Sequence, residues 1–305
     1  WDDVLPYFKK VEKDTDFQGP FHGNDGNIPV SRIFPDIWNG HAKASASAFE
    51  EAGFKYLEDQ NGKFEDGYFP VTGSFIYERR VSAAMGYLTQ GIRNRKNLTI
   101  MTESFVKEIL FDGKKCIGVR VRIEGKDKKF LAKEIILSSG AIHSPAHLMR
   151  AGIGPAMDLK DKGINVLKNL GGVGQRLMDH PSINIASFIK PEARINEYSR
   201  RHLLVGMRYS SGLKNIPKGD MYVAVCSKTA WHSIGDQLAA FILFVNRTYS
   251  ETGQVRLSTT DPYDEPIVEF NLLSDERDLI RLMEGFRKMV LIQQTEPFQR
   301  ISKEV

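Results

Sequence analysis

Residues 135–155, IILSSGAIHSPAHLMRAGIGP, decide the fold because they join a strand pattern, a turn of small residues and a helix. The aliphatic run at residues 135–137 predicts a strand that is buried on both faces. Ser144 is a good N-cap and Pro145 a good first helical residue, so the helix is predicted to begin there. The stretch therefore predicts a strand that leads through a tight turn into a helix.

The turn between this strand and helix is a candidate cofactor site. Open α/β sheets present backbone N–H groups to anionic cofactors at such turns, which makes Ser139, Gly140 and Ala141 candidate cofactor-binding residues. An ordinary strand–helix connection explains the pattern equally well. The Gly-Ile-Gly at residues 152–154 follows a helix, and Met157 occupies the third glycine position, so this segment is predicted to end the helix rather than bind phosphate.

The composition is that of an ordinary globular protein. The chain has 305 residues, of which 41% are hydrophobic and 26% charged. The formal net charge of +4 is small and dispersed, so no nucleic-acid partner is predicted. Cys116 and Cys226, the two cysteines, fit neither a metal motif nor a disulfide framework, which favours a reducing, cytoplasmic location and no metal site. No apolar run is long enough to span a membrane.

The first part of the chain predicts alternating helices and strands. The first residue is Trp1, already in a helical pattern, so the chain is predicted to be a fragment of a longer protein. Residues 61–73 are predicted to be a loop, in which Tyr68 and Phe69 pack beneath the chain or line a pocket. Apolar spacing and turn signals predict helices over residues 2–11 and 40–53, and strands over residues 28–30, 98–102, 104–111 and 116–123.

The sequence of the second part predicts an antiparallel sheet, because several predicted strands follow one another with little of the strand–helix–strand alternation that is typical of parallel sheets. The predicted strands are residues 183–189, 221–227, 239–246 and 253–258, with a helix over residues 197–208. Ser274 is predicted to cap a long helix whose apolar side carries Leu279, Leu282, Met283, Phe286 and Met289.

Three polar residues in motif-like contexts are assigned structural roles. His22 lies in a turn-rich loop with no partner cluster nearby in the sequence, which favours a structural hydrogen bond over a ligand role. Asp179 and His180 are adjacent on an extended segment, so their side chains point to opposite faces and are not expected to act on one substrate atom. We therefore expect the pair to have a structural or cofactor-flanking role.

Four separated motifs, in the same order, resemble those of the glucose-methanol-choline (GMC) flavin oxidoreductases. Two positions depart from the family pattern: Ala151 stands where the family usually has Ser, and Arg176 replaces the usual Asn. The motifs are an Arg-x-Ser element at residues 79–88, the second family signature at 140–154, a Val-Gly-x-Asn-Leu-x-Asp-His-like element at 171–181, and an Asp-Pro…Asn-Leu-Leu…Asp element at 261–278.

The resemblance implies an FAD-dependent enzyme that oxidises alcohols by hydride transfer to the flavin. Val106 matches the position whose backbone contacts the adenine in the family. The family's upstream glycine-rich motif and its downstream catalytic histidine segment have no counterpart here, so no residue of this chain is predicted to be catalytic. We therefore expect the isolated chain neither to hold FAD tightly nor to turn over substrate.

The predicted fold class is mixed α/β and α+β. It combines a partial, Rossmann-like FAD-binding domain that has a β-meander with a substrate domain built on an antiparallel sheet and helices. The predicted segments are 1–78, an FAD-covering and substrate-domain segment; 79–172, part of the FAD-binding domain; and 173–305, the substrate-binding domain.

Three functional hypotheses remain open at this point. The first is a section of a GMC flavoenzyme acting on a small-molecule alcohol, and the second is a non-catalytic binding module derived from the same scaffold. The third is a different FAD- or NAD-linked enzyme, which the Asp-Pro element at residues 261–278 disfavours. The alcohol, the electron acceptor, a homo-oligomeric state and peripheral membrane association are not determined by the sequence.

Overall fold

The computed structural model describes residues 1–77, 79–198, 201–229 and 234–304 of the chain. The chain divides into two compact units, each assembled from separate stretches of sequence. The first unit comprises Trp1–Leu98, His180–Arg247 and Arg277–Val305, and the second comprises Thr99–Asp179 and Thr248–Glu276. No helix in the described part of the chain is long and apolar enough to cross a membrane.

Helices and strands alternate in the first part of the chain, and strands dominate the second. The helices of the described residues are α1 Leu5–Val11, α2 Gly40–Glu51, α3 Ala83–Tyr87, α4 Gln90–Arg93, α5 Gly140–Arg150, α6 Ala156–Asp161, α7 Glu276–Gln293 and α8 Glu296–Ile301. The strands are β1 Glu12–Asp14, β2 Ile28–Val30, β3 Gly67–Pro70, β4 Phe75–Ile76, β5 Arg79–Arg80, β6 Ser104–Asp112, β7 Lys115–Ile123, β8 Lys126–Leu131, β9 Ile153–Gly154, β10 Lys168–Asn169, β11 Gln175–Leu177, β12 Ser182–Ile189, β13 Leu203–Tyr209, β14 Met221–Cys226, β15 Leu238–Val245, β16 Gly253–Arg256, β17 Ile267–Glu269 and β18 Ser302–Glu304.

The first unit is built on a six-stranded antiparallel sheet of order β18-β12-β15-β14-β13-β3. One face of this sheet packs against helices and forms the core. The ring of Phe241 on this face lies 5.5 Å from Phe49 of α2 and 5.3 Å from Phe298 of α8. Gly285 brings α7 close to the same face, because a Cβ there would stand 2.6 Å from the Tyr209 hydroxyl and 2.8 Å from Leu243.

The second unit contains the predicted β-meander. Strands β6, β7 and β8 form an antiparallel sheet in sequence order. A second antiparallel sheet, of order β11-β16-β17, joins the two sequence stretches of the unit. A small core forms where Ala146 and Met149 of α5 meet Leu159, Val255 and Leu257. The fold-class prediction, including the meander and the antiparallel sheet, is confirmed.

The predicted buried strand at residues 135–137 is not formed. The described residues contain no strand between β8 and α5, and the Ile136 side chain is 83% exposed. A strand requires a partner for its backbone N–H and C=O groups, and no described strand pairs with this segment. The helix also begins earlier than predicted, at Gly140, so that Pro145 lies inside α5; the predicted end near Gly152, which has φ +84°, is confirmed.

Other local predictions were wrong where tertiary packing overrides the sequence pattern. Residues 98–102 form no strand, and the predicted loop at 61–73 contains β3, which buries Tyr68 and Phe69. The predicted helix over 197–208 is instead the strand β13 from Leu203 onwards; residues 199 and 200 lie outside the described residues. The helix α7 begins at Glu276, two residues after the expected cap Ser274.

Candidate functional site

The predicted cofactor residues of the turn lie at the exposed N-terminus of α5. Ser139 occupies the N-cap position, but its side chain makes no capping hydrogen bond. Gly140 has φ +82°, and a Cβ built on it would meet no atom within 4 Å. Ser139, Gly140 and Ala141 are all exposed. The first backbone N–H groups of α5 are therefore donors on an open surface, where the positive end of the helix dipole favours an anion.

The remainder of α5 fixes this N-terminus in place. Ala146 is fully buried and Met149 is 3% exposed, and both pack into the core of the second unit. The helix also lies against β6 of the meander. Because the C-terminal half of α5 is anchored in this way, the exposed first turn is held rigidly by the core.

Val106, the predicted adenine contact, lies half-buried in β6 of the same unit. It pairs with Val121 of β7, and the register shifts between Val106 and Glu108, which places a β-bulge beside it. Within the described residues, β6 is one of the two edge strands of its sheet. Bulges redirect backbone groups next to ligand sites, and an edge strand leaves backbone groups unpaired, so both features suit a backbone contact.

The residues at the start of α5 fit the phosphate-bearing cofactor that the family resemblance implies. Gly140 leaves open space where a side chain would stand, and the neighbouring backbone donors suit an anion. No acidic residue occurs between residues 135 and 157 that could repel it. The donor set of this turn is therefore compatible with a flavin dinucleotide.

The sheet of the first unit has a second face that faces away from the helices. Alternation along the strands places Ile242 and Phe244 of β15 on this face, together with Asn184 and Phe188 of β12. Phe188 is 39% exposed, whereas Phe241 on the opposite face is fully buried. We call this surface, defined by Asn184, Ala186, Phe188, Ile242 and Phe244, the open sheet face.

An aromatic row forms one boundary of the open sheet face. The ring of Tyr222 lies 6.1 Å from Phe69 and 6.3 Å from Phe244. Burial raises the pKa of Tyr222 to about 12, against the lowering effect of Arg208, so its phenol is neutral at physiological pH. Arg208 closes this corner by stacking 4.0 Å over the Phe64 ring and donating to the carbonyls of residues 60, 63 and 65.

Three aromatic residues that lie close together in the sequence, Phe69, Phe75 and Tyr77, have different surroundings in the structure. Phe69 is fully buried in β3, and Phe75 is 5% exposed beneath the Arg201 guanidinium, which lies 3.6 Å from its ring. Tyr77, in contrast, is 90% exposed at φ +52° and lines a cavity of about 650 Å³ with Ile76 and Arg79. Phe69 and Phe75 therefore pack within the protein, and only Tyr77 faces open space.

The structure supplies His22 with the partner cluster that the sequence did not reveal. His22 is 4% exposed; its Nε2 lies 2.9 Å from Asp59 and its Nδ1 lies 3.1 Å from Asp14. Arg32 donates to both carboxylate oxygens of Asp14 at 2.9 Å and to Asp59 at 2.8 Å. The expectation of no partner cluster was wrong, because Asp59 comes from a distant part of the sequence.

The carboxylates and the imidazole of this cluster could bind a metal ion, but Arg32 already pairs with Asp14. The ligand atoms of Glu12, Asp14 and His22 lie within 4.8 Å of one another. Burial alone would raise the pKa of Asp14, but hydrogen bonds from the N–H groups of Phe17 and Asp16 and from Arg32 outweigh burial and lower it. A cation would have to displace Arg32 from Asp14, so the geometry favours a structural ion-pair network. The absence of a metal site remains a prediction.

His180 has a partner consistent with a structural role. Its Nδ1 lies 3.0 Å from the carbonyl oxygen of Val245, and the Val245 N–H donates to the carbonyl of Pro181 at 3.0 Å. These contacts tie the start of β12 to the end of β15. This contact is consistent with the structural role that the sequence suggested for His180.

Comparison with protein families identifies the chain. A GMC oxidoreductase N-terminal family model matches residues 1–182, and the C-terminal model of the same family matches residues 248–305. The chain therefore belongs to the GMC oxidoreductase family, as the sequence motifs predicted.

Individual relatives include alcohol-oxidising enzymes. The chain is 41% identical to a 5-(hydroxymethyl)furfural oxidase of Methylovorus sp. (strain MP688), over 94% of this chain and 54% of that protein. It is 31% identical to an oxygen-dependent choline dehydrogenase of Pseudomonas aeruginosa (strain LESB58), over 93% of this chain and 55% of that protein. The chain thus spans about half the length of the curated relatives it matches.

Solved structures share the fold over the whole chain. Pyridoxine 4-oxidase from Mesorbium loti is 25% identical and superposes with a TM-score of 0.89, covering 100% of this chain and 60% of that one. A formate oxidase superposes with a TM-score of 0.87 at 22% identity, covering 63% of that chain. Together, these findings support FAD as the cofactor of the family to which this chain belongs.

Proposed function

We propose that this chain is part of an FAD-dependent oxidoreductase that oxidises a primary or secondary alcohol to a carbonyl. The observation that carries the proposal is the exposed N-terminus of α5, where Gly140 opens space beside unsatisfied backbone donors. Bound FAD would supply the hydride acceptor for the reaction. The family's alcohol-oxidising members support the choice of an alcohol as the substrate class.

The residues of the second unit would bind and orient the cofactor through backbone groups. Ser139, Gly140 and Ala141 would donate N–H groups to an anionic part of the cofactor, and the backbone of Val106 would contact its adenine. The assignment of residues 1–78 to a covering segment, 79–172 to the FAD-binding domain and 173–305 to the substrate domain belongs to the same proposal.

The open sheet face would bind and desolvate the alcohol. Its side chains are apolar apart from Asn184, which can hydrogen-bond to a hydroxyl group. The register of β18 places Glu304 opposite Phe188 at one edge of the sheet, whereas Arg208 of β13, near the opposite edge, carries a positive charge on this side. This charge favours an uncharged alcohol over the choline cation, consistent with the greater identity to the furfural oxidase.

We further propose that the rest of a longer enzyme supplies the general base that removes the hydroxyl proton. None of the described histidines lies in the sequence context that the family uses for this role. His22 and His41 are buried in structural networks, and His180 contacts a backbone carbonyl. A chain that spans about half of its relatives is expected to bind FAD weakly and to be inactive alone.

The competing function is a non-catalytic binding module built on the same scaffold. Both functions predict an exposed α5 N-terminus, so that feature does not separate them. They differ in chemistry, because only the enzyme reduces bound flavin when an alcohol is added without oxygen.

The test is therefore an anaerobic alcohol panel on the full-length parent protein. We expect furfuryl and benzyl alcohols to bleach the flavin absorbance and choline to do so at least about tenfold more slowly. The 305-residue chain purified alone is expected to carry no stoichiometric flavin. A flavin-loaded parent that no alcohol bleaches would favour the binding module, and an isolated chain that retains one FAD would refute the proposal of an incomplete site.

A further inference from the structure

A large cavity in the first unit lies on the helix-covered side of the sheet. Its volume is about 850 Å³, which is within the range of small-molecule sites. Its walls come from the end of α2, the end of β13 and the length of α7, all within the first unit. Its lining includes the aromatic side chains of Phe54 and Tyr209 and the charged side chains of Arg281, Glu284, Arg287 and Lys288.

This cavity is distinct from the open sheet face. Tyr209 projects from the sheet towards α7, where its hydroxyl lies next to Gly285. Tyr222 and Phe244, in contrast, alternate to the opposite side of the same sheet. A ligand in the cavity would therefore be separated from an alcohol on the open sheet face by the sheet itself.

Among the described residues, one lysine of the cavity wall is left without a carboxylate partner, whereas the other charged residues are paired. Glu284 and Arg287 are paired with each other, and Arg281 is paired with Asp220 at 3.1 Å and with Asp278 at 2.5 Å. Lys288 has no carboxylate partner within the described part of the chain. Its ammonium lies 5.0 Å from the Tyr209 ring and 5.8 Å from the Phe54 ring, so the two aromatic faces hold it at the wall.

A buried hydroxyl group also lacks a hydrogen bond at this site. Tyr209 is 2% exposed, and its hydroxyl has no hydrogen-bond partner in the residues that the structure describes. Buried polar groups are normally paired, and an orphaned one costs about 1–3 kcal/mol. Burial, together with the nearby Asp220, raises the pKa of this phenol, which stays protonated and can therefore donate.

We propose that this cavity binds a small apolar carboxylate, with its hydrocarbon body against the aromatic and aliphatic walls and its carboxylate at Lys288. Lys288 has no carboxylate partner among the described residues and the walls are largely apolar, which fits an amphiphilic monoanion better than a sugar or a cation. The Tyr209 hydroxyl gains an acceptor when an oxygen of the ligand reaches it. The site is independent of the alcohol chemistry proposed above.

The test uses the anionic fluorophore 1-anilinonaphthalene-8-sulfonate as the probe and octanoate as the competitor, with the 305-residue chain. We expect saturable binding of one probe per chain and displacement by octanoate but not by octanol. Lys288→Met should weaken the binding of both ligands by about fivefold or more, because a charge-assisted contact is lost while an apolar side chain of similar length remains. Lys288→Arg should retain binding within about twofold.

Two further variants distinguish the site from non-specific effects. Lys10→Met removes the same charge from exposed α1 and is expected to leave binding unchanged. Tyr209→Phe keeps the ring and should weaken octanoate binding without changing the far-UV circular dichroism. The proposal would be overturned if wild-type protein and Lys288→Met bound the probe with equal affinity, or if Lys10→Met lost as much affinity as Lys288→Met. Failure of octanoate to displace the probe would also overturn it.

Discussion

The buried imidazole of His41 shows how a single residue couples folding to pH. His41 is completely buried between the rings of Phe241 and Phe298, at 6.2 and 5.7 Å, and its Nδ1 lies 3.1 Å from the Ser227 hydroxyl. Ser227 in turn donates to Asn39, whose side chain caps α2. Burial lowers the pKa of His41 to about 3, so the imidazole is neutral in the folded protein.

This depressed pKa predicts a loss of stability in mild acid. The unfolded chain binds a proton at the ordinary histidine pKa of 6.5, whereas the folded chain does not do so until about pH 3. Stability from this group is therefore complete above pH 6.5 and falls, by up to about 1.4 kcal/mol per pH unit, as the pH drops towards 3. Between pH 7.5 and 5.0, His41→Gln should lose about 2 kcal/mol less unfolding free energy than the wild-type protein in urea titrations.

A matched substitution at an exposed histidine controls for general acid effects. His143 has a side chain that is 49% exposed, so His143→Gln should follow the pH dependence of the wild-type protein. Parallel stability curves for wild-type protein and His41→Gln would show that the buried imidazole is not the source of the acid sensitivity.

At the scale of helices and strands, the periodicity of apolar residues predicted those elements that bury one face and expose the other. The helix α2 and the meander strands β6 and β7 alternate apolar and polar residues with the local period, so their sequence carries the signal. β13 was missed because nearly every residue in it is buried, which removes the alternation. The sequence also predicted a helix before Gly152, although α5 begins at Gly140, earlier than expected, and the preceding strand does not form.

Elements that depend on distant partners could not be predicted from their own residues. The predicted apolar side of α7 included Leu279 and Met283, which are 40% and 46% exposed. Its buried side instead contains Asp278 and Arg281, because Asp220 on another part of the chain completes their ion pairs. The open sheet face was missed for the same reason, since it exists only once β12, β14 and β15 pair.

The positive φ of Gly140 at the start of α5 predicts that a residue with a side chain would be strained there. Gly140→Ala should lower the free energy of unfolding by about 1–2 kcal/mol, because φ +82° is unfavourable for an L-residue although no atom would clash. Gly91 in α4 also has open space but has no positive φ, so Gly91→Ala should stabilise the chain by up to about 1 kcal/mol. Chemical denaturation measures both, and equal effects of the two substitutions would contradict the assigned strain.

At the scale of the whole molecule, neither compact unit is a single continuous stretch of the sequence. The family match at residues 1–182 contains parts of both compact units, and each unit is assembled from separated stretches. In the second unit, β11 pairs with β16, and Met149 and Leu159 pack against Val255 and Leu257. Residues 99–179 therefore lack part of their own core.

We expect residues 99–179 expressed alone to show no cooperative thermal transition, because removing Val255 and Leu257 forfeits about 1.5–3 kcal/mol of burial for each side chain. The same residues joined through a short flexible linker to residues 248–276 should unfold cooperatively, since the linker restores both the small core and the β11–β16 pairing. Circular dichroism melts compare the two proteins, with Val255→Asp in the linked protein as the control that should abolish the transition again. A cooperative transition in residues 99–179 alone would mean that the meander and α5 suffice as a folding unit and that the exposed cofactor turn does not depend on the C-terminal stretch.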